Sequence, residues 1–193
     1  MPTIRSRPAL TSAAGLLFAA TLIIVVDVRI AAFDVVADVI GGVMVLVATL
    51  RIHGALRGSD TMRSALVALA VIALPVTVVE TLQPTSGFMA LLAASLMLGA
   101  LVLARLLADA LRASEPGLAA TWNGTFQLIA IVGVVPFVVG TALGAFASGT
   151  TNVSIQSPLA LVLVVLLFIP LIALLRALWR TSRDPLQSPT PAT

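Results

Sequence analysis

Carboxylates are scarce in this chain, eight in 193 residues, and three of them fall within Asp27-Val-Arg-Ile-Ala-Ala-Phe33-Asp34-Val-Val-Ala-Asp38. That run passes through Gly41 and Gly42 into a long apolar segment. A carboxylate placed where a chain passes into hydrocarbon is costly unless it caps a helix, pairs with a cation or lines a wet site. Asp34 and Asp38 are four residues apart, so a helix beginning near Ala31 puts them on one face, and Gly42 and Val45 continue the stripe. A side that is acidic and then small suits a neighbouring helix or a water-filled crevice better than lipid. Two chemistries fit. In the first, Asp34 satisfies free backbone N–H groups and meets the positive end of the helix dipole, with Asp38 at headgroup level. In the second, Asp34, Asp38 and Glu80 form a proton or cation site, in which a bound proton or cation relieves the repulsion of like charges.

Glu80 follows Pro75 and Thr77 in Ala73-Leu-Pro75-Val-Thr77-Val-Val-Glu80. Pro75 removes a backbone hydrogen bond and Thr77 can re-satisfy the freed groups. Glu80 then either reaches Arg29 or a carboxylate, or is hydrated among headgroups. Other chemistry is thinly supplied. Cysteine and tyrosine are absent and histidine occurs once, at His53, so thiolate catalysis, disulfides and His/Cys metal clusters are excluded. His53, between Arg51 and Arg57, reads as a surface residue in a short loop. The chain carries no GxSxG, HExxH or P-loop pattern, and we expect no catalytic set, metal or cofactor.

The elements that must position these residues are read from composition and hydropathy. With 60% hydrophobic and 10% charged residues and a mean hydropathy of +1.14, the solvent of this chain is mostly lipid. Spans of about 20 predominantly apolar residues, the length that crosses roughly 30 Å of hydrocarbon, fall near 10–28, 33–52, 63–83, 86–108, 120–147 and 158–179. The first, behind Arg5 and Arg7, is too long for a signal-peptide core and reads as a retained span. Gln83-Pro84-Thr85-Ser86-Gly87 marks a tight turn between the third and fourth.

All eleven basic residues are arginine. Assigning span ends alternately to two sides puts Arg5, Arg7, Arg51, Arg57, Arg63, Arg105, Arg112, Arg176, Arg180 and Arg183 on one side and Arg29 on the other. By the positive-inside rule the first side, with both termini, is cytoplasmic. Trp122 and Trp179 fall on that boundary, where an indole prefers the headgroup layer. The expected fold is an all-α polytopic membrane protein with six transmembrane helices. It forms one domain over 1–180, and 181–193 is a disordered cytoplasmic tail.

Packing signals follow. Gly41 and Gly42 in the second span, and Gly140-Thr-Ala-Leu-Gly144 in the fifth, let helix backbones approach closely, as does Ser95-x-x-x-Gly99. Pro136 and Pro170 mark kinks. Arg176, Arg180 and Arg183 recur at helical spacing beside Trp179 as a basic face for anionic headgroups. Arg105, Asp109 and Arg112 form an intrahelical pairing set.

Phe33-Asp34-Val-Val-Ala37-Asp38-Val-Ile40-Gly41-Gly42 resembles a motif, approximately F-D-x-L-P-D-F-I-G-Y, at the start of the second span of an uncharacterised family of small multi-spanning bacterial membrane proteins. Ala37 stands at its proline and Gly42 at its tyrosine. The resemblance implies that Asp34, Asp38 and Gly41 are family features and brings no activity; the expected location is the bacterial inner membrane. The sequence therefore leads to a non-enzymatic membrane subunit or partner-binding protein in the lipid bilayer, with a membrane-protein partner or a second copy of itself and no nucleic acid. The alternative is a small proton- or cation-coupled transporter or channel using Asp34 and Asp38.

Overall fold

The computed structural model describes residues 2–25, 33–82, 86–134 and 158–183, with side chains over 2–24, 39–75, 94–134 and 168–183. Among them the chain forms six helices: α1 (Arg7–Val25), α2 (Phe33–Ala55), α3 (Asp60–Leu82), α4 (Ser86–Leu111), α5 (Pro116–Leu128) and α6 (Pro158–Ser182). Beyond Leu128, α5 widens into a π-helical stretch over Ile129–Val134.

Three of these helical stretches are long and apolar enough to cross a membrane, Arg7–Ile24, Ala94–Leu111 and Pro116–Val134. Their company has the packing expected in lipid. Alanines such as Ala13, Ala14, Ala48, Ala104, Ala108 and Ala177 are buried between helices. A set of large side chains points outward: Ile40, Val43, Val47 and Leu50 form an exposed stripe on α2, and Ile72, Leu98, Ile131 and Ile172 are exposed on other helical stretches. Small residues between helices allow close backbone approach.

Each helix packs on the next in sequence, and α6 packs back on α1, so the six close a ring. One end of that ring is tied by short-range chemistry. Ser6 Oγ accepts from the Ala9 N–H at 3.4 Å, at the start of α1. The preceding Thr3–Ile4 (β1) pairs antiparallel with Leu56–Arg57 (β2), a two-residue ribbon unforeseen in the sequence. The N–H groups of Arg5 and Ser6 both donate to the Ala55 carbonyl, satisfying an acceptor that the end of α2 leaves open. The turn into α3 uses Gly58 at φ 75° and Ser59 at φ 51°, the left-handed region that glycine tolerates best.

The tightest packing lies at this same end, where Leu10, Ile52, Leu56, Leu106, Leu107, Leu111, Trp122 and Leu178 are fully buried. The chain's beginning, the α2–α3 turn, the α4–α5 turn and the end of α6 thus meet at one pole of the bundle. All arginines but Arg29, which lies outside the described residues, belong to elements at that pole.

Candidate functional site

The acidic stripe begins in the first two turns of α2, which hold positions 34 and 38. The side chains of Asp34 and Asp38 lie outside the described residues, as does that of Glu80 in α3. Asp27, Gly140 and Gly144 fall wholly outside them. What is described is the continuation of the stripe. A Cβ built on Gly41 would stand 2.7 Å from Ile24 Cγ1 of α1, and one on Gly42 would stand 3.0 Å from Leu74 Cδ1 of α3. One turn on, Val45 lines the space at the centre of the ring. The small side of α2 therefore faces its neighbours and the interior, with Ile40 and Val43 turned outward.

That interior is a cavity of about 290 Å³ to which all six helices contribute. Thr21 of α1, Val45 and Thr49 of α2, and Ala70 of α3 form one side. Gly99 of α4, Gly133 of the π-helical stretch and Pro170 of α6 form the other. Among the described lining residues the walls are aliphatic, and their polar side-chain atoms are the hydroxyls of Thr21, Thr49 and Ser95. The Thr21 hydroxyl donates to the Leu17 carbonyl of its own helix at 2.8 Å, which leaves its proton unavailable to a guest. Gly99 corrects the sequence reading. Its spacing from Ser95 predicts a close helix approach, yet a Cβ there would meet nothing within 4 Å, because Gly99 borders the cavity instead of a helix seam.

The described charged side chains gather at the arginine pole, where they hold elements to one another. Arg7 Nη2 meets Glu115 Oε2 at 2.9 Å, joining α1 to the residue that precedes α5. Arg63 donates to the carbonyls of His53 (3.1 Å) and Leu56 and to the carboxylate of Asp60, fastening the α2–α3 turn. Arg105 Nε and Arg112 Nη2 flank Asp109 at 3.2 and 3.6 Å, the intrahelical set that their spacing predicts. Arg183 lies 4.7 Å above the Trp179 ring, and Arg180 Nη1 donates to Thr121 Oγ1 at 3.2 Å.

Two sequence expectations fail here for physical reasons. His53 is not in a loop: α2 runs on to Ala55 because the ribbon supplies donors for its last carbonyl, and His53 sits half-buried in the final turn. Trp122 is not at a headgroup surface. It is completely buried, and its Nε1–H donates at 2.9 Å to Thr181 Oγ1, which is equally buried and itself donates to the Ala177 carbonyl at 2.8 Å. The indole is a bolt between α5 and α6. Trp179, by contrast, remains 46% exposed.

Among the described residues no group of three or more His, Asp or Glu side chains is placed to hold a metal ion. Comparison with protein-family models, with curated proteins and with solved structures finds no match to this chain.

Proposed function

We propose that the chain is a six-span protein of the bacterial inner membrane, with both termini cytoplasmic, acting as a non-enzymatic membrane subunit or partner-binding protein. The observation that carries this reading is the division of labour among its side chains. The described ionic groups tie the arginine pole, the interior is lined by aliphatic groups and hydroxyls, and large apolar side chains cover the outside. Such an object binds and packs; acid–base chemistry has little purchase on aliphatic walls. Gathering of the arginine-bearing segments at one pole supports the cytoplasmic assignment of that pole. Membership of the family whose second-span motif Phe33–Gly42 resembles belongs to the same proposal.

A second reading is favoured by one specific feature. Gly42 and Val45, which continue the four-residue spacing of Asp34 and Asp38, face α3 and the interior. A stripe with that register suits a proton or cation path shared with Glu80. The readings separate in one experiment: purification in mild detergent, with a photo-crosslinker placed at outward positions Val43 or Val47, alongside flux measurements in proteoliposomes. The subunit reading expects a crosslinked membrane-protein partner at fixed stoichiometry. A partner-free protein with cation-dependent flux that Asp34→Asn or Asp38→Asn abolishes, its assembly intact, would establish the transporter reading in its place.

A further inference from the structure

The central cavity is unusual in what converges on it. Three departures from regular helix packing meet at its wall: the π-helical stretch with Ile129 and Gly133, the helix-interior proline Pro170, and the side-chain-free surface of Gly99. A proline inside a helix removes a backbone hydrogen bond and bends it, and a π turn widens the helix and shifts its later side chains. All three lie on the wall of this one cavity. Protein interiors ordinarily leave few voids larger than a water molecule.

We infer that this cavity is a binding site for one aliphatic hydrocarbon chain, the end segment of a fatty acyl tail. Size, polarity and wall chemistry agree. An apolar cavity of about 150 Å³ stays dry and takes up a benzene-sized guest, and 290 Å³ has room for a longer one, near the lower end of ordinary ligand pockets. Water needs two to four polar partners, and the wall offers few hydroxyls, with that of Thr21 committed to Leu17. Among the described lining residues none is aromatic, so the wall offers branched and linear aliphatic contact without a stacking face for a planar ring. Met97, whose thioether lies 3.6 Å from where a Gly133 Cβ would stand, is a flexible side chain suited to closing on guests of variable length.

The site rests on the proposed membrane location for its supply of chains, and the source is either a free fatty acid or the tail of a bilayer phospholipid. The test uses the full chain in lipid nanodiscs with two probes, diazirine-bearing palmitate and diazirine-bearing phosphatidylglycerol, photolysed and mapped by mass spectrometry. We expect saturable adducts on wall residues Leu69, Met97 and Leu171 alongside non-saturable adducts on outward residues Ile72, Leu98 and Ile172. The probe that gives the wall adducts identifies the source. Gly99→Phe, which projects a ring into open space, lowers the wall adducts about tenfold and leaves the outward ones unchanged. Gly99→Leu serves the same purpose if the larger side chain prevents folding. Outward adducts without wall adducts, or wall adducts indifferent to both variants, overturn the site while leaving the membrane location standing. Absence of outward adducts as well overturns the membrane location and the site together.

Discussion

Replacing Thr181 by valine tests whether the α5–α6 seam depends on a dry hydrogen bond. The substitution keeps the shape of the side chain and deletes the oxygen that accepts from Trp122 Nε1 at 2.9 Å. Both residues are fully buried, so no water replaces the lost acceptor. A buried donor left without a partner costs about 1–3 kcal/mol. Interhelical hydrogen bonds in membrane proteins average nearer about 0.6 kcal/mol, reaching roughly 1.7, because the unfolded chain also finds partners. Complete burial of both groups places this bond near the top of that smaller range, at about 1.5 kcal/mol. The Thr181 hydroxyl proton is already given to the Ala177 carbonyl, so Trp122→Phe orphans no donor and costs stability through lost packing alone. Once Trp122→Phe has removed the indole N–H, Thr181→Val should cost close to nothing, and the double-mutant cycle should return a coupling of about 1.5 kcal/mol. The four proteins are compared by SDS titration from mild detergent, with helix content followed by circular dichroism. A Thr181→Val cost that is the same with and without Trp122→Phe would refute the bond. It would also restore a hydrated, headgroup-level indole.

The two adjacent glycines of α2 should respond differently to substitution. Gly41→Val forces a Cβ to 2.7 Å from Ile24 Cγ1, with Ile24 Cδ1 at 3.3 Å and the Ala20 backbone oxygen at 3.6 Å leaving little room to yield, and should destabilise by about 2 kcal/mol in the same titration. Gly42→Ala meets only the tip of Leu74, and its better helix propensity, about 1 kcal/mol, should leave it neutral or stabilised. Equal losses at both positions would mean that α1 does not approach α2 through Gly41. The chain has no cysteine, so single cysteines report sidedness directly. In intact cells, exposed positions 57 and 113 should resist an impermeant maleimide, whereas positions 34 and 38 should react or be protected by the outer helix ends. Labelling of 34 or 38 only from the cytoplasmic side would reverse the proposed orientation.

Most of the described helices were legible because long apolar runs advertise themselves by length. Expected spans at 33–52 and 86–108 match α2 and α4 to within a few residues, and the differences lie at the arginine pole, where α2 and α4 run one turn further. Those extensions depend on partners distant in sequence. Nothing local in Arg51-Ile-His53-Gly-Ala55 announces that Arg5 and Ser6 will donate to Ala55. The same holds for Trp122: an indole near a span end has the composition of an interfacial anchor, and only the arrival of Thr181, 59 positions on, makes it an internal donor. Gly99 failed for the opposite reason. The small-x-x-x-small pattern reports that a surface is recessed, and a recess serves equally for a helix seam or for a cavity wall. Pro170 carried the better signal for the interior, since it sits inside α6 and lines the cavity, whereas Pro136 lies outside the described residues.

The concentration of polar bonds at one pole has a mechanical consequence for the interior. Closing a ring of six helices requires the first and last to meet. Here α1 and α6 do so at the arginine pole, where Gly15 lies against Ser182 and Phe18 packs on Trp179 at 5.4 Å. Adjacent seams are fixed at the same level by Trp122 with Thr181, Arg7 with Glu115, and Arg63 with the α2–α3 turn. These bonds specify neighbour and register at the pole, a few turns from the cavity. The wall residues are left free to be aliphatic, and the helices free to stand apart at Gly99, Gly133 and Pro170. A cavity opened in a uniformly greasy bundle would tend to collapse by sliding one helix into it. One opened above a bonded pole is held by helices whose spacing is set a few turns away, so its volume can persist without a ligand and remain ready for one.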